Sequence, residues 1–103
     1  MFRIVWEFVA REGQVAEYEE AYGPEGVWAR FFRQGRGYRR TELEMVAGAE
    51  RTYRTNDVWD TKEDFERFKH DFAAEYAAID ARCEDLTENE TFIGHFESKE
   101  SDV

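Results

Sequence analysis

Residues 55–71 read TNDVWDTKEDFERFKHD, and the way this run divides decides the fold. Up to Trp59 it alternates as a strand does: Tyr53, Thr55, Asp57 and Trp59 share one face, while Arg54, Asn56 and Val58 share the other. At Thr61 the pattern changes. Thr61-Lys62-Glu63-Asp64 has the form of a capping box, in which a side-chain oxygen accepts from the free amides of a helix start. Behind it Phe65, Phe68, Phe72, Tyr76, Ile79, Cys83 and Leu86 recur at intervals of three and four, the apolar stripe of one long helix. Neither face of the strand is a plain core face, so a polar cavity or a sheet edge is expected there.

Upstream, Phe2 to Val9 alternates cleanly, with Phe2, Ile4, Trp6 and Phe8 opposite Arg3, Val5, Glu7 and Val9. From Gln14 the spacing turns helical. Gly23-Pro24-Glu25-Gly26 interrupts it, and proline's tolerance for a first turn predicts a broken helix restarting at Pro24. The second piece turns Val27, Trp28, Phe31 and Phe32 inward and stops at Gly35-Arg36-Gly37. Tyr38 to Val46 reads as a second strand, joined through Ala47-Gly48-Ala49-Glu50 to the third, Arg51 to Trp59. Downstream, Glu90 to Glu97 alternates again, with Phe92, Gly94 and Phe96 opposite Thr91, Ile93 and His95. Ser98 to Val103 reads as a polar, frayed tail behind a single domain over residues 1–97.

The order strand, broken helix, strand, strand, long helix, strand is the split βαβ, ferredoxin-like α+β arrangement. Two helices then cover one face of a four-stranded antiparallel sheet and leave the other bare. Val5, Val9, Ile93, Leu43 and Met45 are expected on the bare face, and a second copy of the chain is the expected cover.

The totals narrow the function. The chain has 103 residues, a formal charge of −10, 42% hydrophobic residues and 17% aromatics. A surface this acidic repels phosphate backbones and anionic headgroups, so neither nucleic acid nor membrane is expected as a partner. No apolar run approaches the roughly 18 residues of a spanning helix, and the opening FRIVWEFV is too short and too charged for a signal peptide. A lone Cys83 without an export signal fits the cytoplasm.

Few residues could carry chemistry. No metal site is expected, because His70 and His95 lie far apart and neither has a cysteine beside it. His70 falls opposite the apolar stripe and reads as a surface residue, whereas His95 shares a strand face with Ile93 and is expected between subunits. Cys83 lies on the buried stripe and reads as core. Asp57 stands out. Alternating with Tyr53 and Trp59, it would be a carboxylate in an apolar cleft, its pKa raised by burial and suited to proton abstraction. An ion pair with one of the many arginines is the alternative. Trp6, Trp28 and Trp59 read either as core or as walls around a flat ligand.

FRIVWEF, the glycine before the first helix, and above all the run VWDTKEDFERF resemble the antibiotic-biosynthesis-monooxygenase-like group of the dimeric α+β barrel superfamily, over about residues 2–97. The resemblance implies a homodimer whose sheets face each other, with a pocket in each subunit between sheet and helices. Members include cofactor-free oxygenases of polycyclic phenols or quinols, and haem-degrading enzymes. The quinone-forming members carry Asn and Trp four apart on the third strand. Trp59 matches, but Thr55 stands where the Asn would be, Asn56 falls on the opposite face, and Phe65 or Phe68 replaces an early-helix Tyr. The haem degraders' Asn on the first strand and His late in the long helix are both absent.

Two readings follow. In one, the chain is a cofactor-independent, monooxygenase-like enzyme. Asp57 would deprotonate a small aromatic phenol or quinol held by Trp6, Trp59, Phe68, Phe72 and Tyr76. In the other, it is a dimeric ligand-binding or accessory protein without chemistry of its own.

Overall fold

The computed structural model describes residues 1–99. Strands β1 (Phe2–Ala10), β2 (Tyr38–Met45), β3 (Thr52–Trp59) and β4 (Thr87–Glu97) form one antiparallel sheet in the order β2-β3-β1-β4. Helices α1 (Val15–Tyr22) and α2 (Val27–Phe32) follow β1, and α3 (Lys62–Asp71) and α4 (Ala73–Cys83) follow β3. This is the expected ferredoxin-like α+β fold, with the core between the helices and the even-numbered face of β1. Among the described residues no helix is long and apolar enough to cross a membrane. Of the tail expected to fray, residues 100–103 lie outside the described part. Ser98 is tied down instead, its amide donating to the Met1 carbonyl at 2.7 Å.

Both expected helices are broken. The first break is at the Gly-Pro-Glu-Gly run, but the helix resumes at Val27 rather than Pro24. Gly26 precedes it, and a Cβ there would strike the carbonyl oxygens of Glu20 and Ala21. The second break, at Phe72 (φ −117°, ψ 30°), divides the single long helix into α3 and α4. Neither proline nor glycine announces it. The cap of α3 is as expected: Thr61 accepts from the Asp64 amide at 3.1 Å. The reciprocal half of the box is not made, because Asp64 turns to Arg67 at 3.0 Å. At the hairpin between β2 and β3 the turn runs through Arg51, whose φ of 52° removes it from the expected strand.

Register decides what faces the helices. Phe2, Ile4, Trp6 and Phe8 lie opposite Trp59, Asp57, Thr55 and Tyr53, so Asp57 and Trp59 share the covered face. Three register shifts interrupt the alternation, at Tyr38/Arg40, Val5/Trp6 and Val9/Ala10, and the first two move candidate residues. In β2, Tyr38 lies opposite Trp59 but Arg40 opposite Val58, which brings Tyr38 and Thr41 to the same face although they are three apart. In β4, Val5 lies opposite Gly94 but Trp6 opposite Phe92, which brings Phe92 and His95 together. His95 therefore packs on the helix side, its ring 4.9 Å from that of Phe2, and not on the bare face as expected. Leu43 and Met45 are corrected too. Opposite Thr55 and Tyr53, they point to the helix side, Leu43 against the core and Met45 exposed at the sheet edge. The bare face carries Val5 and Val9 with Phe96, flanked by the Arg3–Glu42 and Arg54–Glu7 ion pairs at 3.1 and 3.0 Å.

Candidate active site

A cavity of about 210 Å³ opens between the covered face of the sheet and the helices. Strand β1 supplies Ile4, Trp6 and Phe8, all on its even-numbered face. Trp28, Phe32 and Phe65 wall it from the helix layer, and α4 reaches it through Tyr76 and Asp80, one turn apart. The kink at Phe72 thus sets the direction in which Tyr76 points. Trp28 meets Tyr76 edge to face, with centroids 5.2 Å apart, so the aromatic wall is braced from behind.

Asp57 lines this cavity with Thr41 and Thr55 beside it. The Thr41 hydroxyl donates to Asp57 Oδ1 at 2.8 Å, and Tyr38 Oη lies 2.7 Å from Thr41 Oγ1. Because the single Thr41 proton is committed to the carboxylate, Tyr38 must donate to Thr41, making a chain from Tyr38 through Thr41 to Asp57. Thr41 is 4% exposed. The expected alternative, an ion pair between Asp57 and an arginine, is not formed among the described residues. With no cation to offset it, burial raises the Asp57 carboxyl from 3.8 to about 6, and the Thr41 hydrogen bond holds it back only in part. The side chain is partly buried where it borders the cavity, and loss of solvent is the largest influence on its proton affinity.

The other polar groups of the cavity sit nearer its rim. Lys69 Nζ lies 5.5 Å from the ring centroids of both Phe65 and Tyr76 and is the one cationic side chain in the lining among the described residues. The Tyr76 phenol is pushed up to about 12, by burial first and then by the charges of Asp57, Asp80 and Glu90, so it stays protonated. Glu90 is raised by burial and by the Asp80 charge.

No family model and no curated protein matches the chain. Solved structures do. An antibiotic-biosynthesis-monooxygenase-like protein of Deinococcus radiodurans superposes with a TM-score of 0.71 at 16% identity, covering 98% of this chain and 95% of that one. A similar protein of Nitrosomonas europaea gives 0.68 at 13% identity, with 97% and 100% covered. A variant of SnoaB, a cofactor-independent oxygenase from Streptomyces nogalater, gives 0.66 at 23% identity, with 97% and 94% covered. The chain shares the fold of these proteins. At these identities the likeness carries the architecture, and the roles of side chains must come from the cavity itself.

Within this fold the expected site residues divide. Asp57, Trp6 and Tyr76 come together around the cavity, while Trp59, Phe68 and Phe72 are absent from its lining. Trp59 is fully buried, packed between the rings of Tyr38, Phe32, Phe65 and Phe68 at 5.3–5.8 Å. Phe68 and Phe72 stack on one another at 4.7 Å behind it. Their positions on the stripe aim them into the helix-sheet core, Phe68 within it and Phe72 packed against it. Gly35 allows this close packing, since a Cβ there would lie 2.6 Å from Phe68 and 2.9 Å from Trp59.

Thr41, Tyr38 and Lys69 were not legible as site residues. The bulge hides the first two by breaking the alternation. Lys69 is one helical turn beyond Phe65, and that spacing alone places it on the cavity side. His70, beside it, is 89% exposed at its side chain and points away. Replacing Thr41 with valine removes the only hydrogen bond to the Asp57 carboxylate among the described residues. The carboxyl should then titrate above about 6, and any rate that depends on its ionised form should rise at correspondingly higher pH. A carboxyl-carbon NMR titration of the variant checks this.

Proposed function

We propose that the chain is a cofactor-independent, monooxygenase-like enzyme that acts on a small aromatic phenol or quinol. One observation carries the reading: Asp57, a carboxylate with no cationic partner, opens into an aromatic cavity with its affinity for a proton raised to about 6. Near neutral pH such a group is mostly ionised and is a far better base than an ordinary aspartate. The fold that the chain shares with SnoaB supports the reaction class by analogy only.

In this mechanism Thr41 holds Oδ1, leaving Oδ2 to take the phenolic proton. The resulting phenolate is electron-rich at its ring carbon and transfers an electron to dioxygen. Recombination forms a carbon–oxygen bond as a ring hydroperoxide. Loss of the ring C–H proton and cleavage of the O–O bond then give a quinone and water. One oxygen atom stays in the product and the other leaves as water. All the electrons come from the substrate, so no external reductant enters. Lys69 supplies positive charge near the developing phenolate, and the Trp6, Phe8 and Tyr76 rings keep water from the carbanion.

Oxygen uptake and quinone formation over a panel of phenols and quinols test this directly. Uptake by the native chain that disappears on Asp57→Asn supports the enzyme; an inactive panel, or uptake indifferent to that substitution, removes it in favour of a binding or accessory role.

A second copy is the proposed cover of the face of the sheet that no helix packs on, since the 47%-exposed Phe96 stands there beside Val9. Sedimentation velocity should show a dimer, and Phe96→Glu should shift it toward monomer. A native monomer would contradict the proposed pairing.

A further inference from the structure

The charges around the cavity do not match a plain phenol. Three carboxylates border it, Asp57 at its depth and Asp80 and Glu90 at its rim, against the single ammonium of Lys69. None of these four groups forms an ion pair among the described residues. Some acids elsewhere have a cation: Glu42 is shared by Arg3 and Arg40, Glu7 meets Arg54, and Glu88 meets Arg51. Asp80 from α4 and Glu90 from β4 both line the cavity, and the Asp80 charge adds to burial in raising Glu90. The same cavity is lined by the rings of Trp6, Phe8 and Tyr76, and a ring face attracts a cation through its quadrupole. Tyr76, one turn before Asp80 on α4, feels the charges of Asp57, Asp80 and Glu90 together.

An entering phenol would therefore meet a negative rim, and its phenolate would form in a cavity already short of positive charge. We infer that the cavity's ligand is an aromatic amine in its protonated form, its ring among Trp6, Phe8 and Tyr76 and its ammonium between Asp80 and Glu90. This rests on the reading of the cavity as a substrate site and names the class of substrate it takes. The ammonium neutralises the rim and supplies the positive charge that Lys69 alone provides only once. The formal charge of −10 on the chain draws the same ligand class from solution.

Three probes of one size separate the charge types: tyramine, 4-ethylphenol and 3-(4-hydroxyphenyl)propionate, each titrated into the full-length chain by calorimetry. Because the rim acids are exposed and screened, the expected preference for tyramine over 4-ethylphenol is about tenfold at low salt. The propionate should bind more weakly than either. High salt should shrink the preference in the native chain, with no substitution needed. Asp80→Asn combined with Glu90→Gln should bring the tyramine and 4-ethylphenol affinities together. Equal affinities in the native chain, tighter binding of the propionate, a preference that survives the double substitution, or no tyramine binding would each overturn the inference. Tyramine binding that meets these expectations without oxygen uptake by any substrate would keep this inference and remove the oxygenase. Oxygen uptake with neutral phenols and no preference for the amine would do the reverse.

Discussion

Asp57→Asn should lower turnover of a phenol or quinol by about 10²–10⁴-fold, the usual contribution of a positioned general base. The amide keeps the shape of the carboxylate and can still accept the Thr41 hydrogen bond at Oδ1, so the cavity is preserved while its base is lost. In the native chain the rate should climb as pH rises through about 6 and level off above, because only ionised Asp57 takes the proton. The same substitution should stabilise the fold. A carboxyl raised from 3.8 when unfolded to about 6 when folded binds its proton more tightly in the folded chain. Its ionisation therefore costs nothing below pH 3.8, costs progressively more between 3.8 and 6, and costs on the order of 3 kcal/mol above that. Thermal melts of the native chain and the Asn variant should differ at pH 7 in favour of the variant and converge below pH 4. Loss of activity together with gain of stability is the signature of a group strained for function, and loss of both would point to a merely structural aspartate.

Trp59→Ala should have the largest effect on stability. The side chain is fully buried at the point where β3, the end of α2 and the first turns of α3 meet. Removing it leaves a cavity among four rings and should cost about 3–5 kcal/mol. With domains of this size stable by about 5–15 kcal/mol, that is a large share. The midpoint should fall by roughly 12 °C or more. Trp59→Phe should cost much less, since the indole Nε1 is buried without a hydrogen-bond partner and its removal offsets part of the lost volume. Phe92→Ala, at a ring 48% exposed on the edge strand, is the contrasting control.

Much of this architecture could be read from residue order. The alternation of Phe2 to Val9, the Thr61 cap and the stripe from Phe65 are local signals, and each has its counterpart in the fold. Asp57 was legible for the same reason: two-residue spacing ties it to Tyr53 and Trp59, and the register with β1 sets all three on the covered face. What could not be read depends on pairing between strands. The extra residues Arg39 and Ile93 flip every later side chain in β2 and β4, so Thr41 joins Tyr38 and His95 leaves the bare face. Asp80 and Glu90 were hidden differently, among the 24 acidic residues of the chain, where no local spacing marks two of them as neighbours.

The most direct test of the account is a carboxyl-carbon NMR titration of Asp57, assigned by comparison with Asp57→Asn, with and without a bound phenolic amine. The account predicts a carboxyl that titrates near pH 6 and whose resonance moves when the ligand enters. A carboxyl that titrates near its ordinary 3.8 and ignores the ligand would contradict it, leaving Asp57 a solvated residue beside an empty corner of the fold.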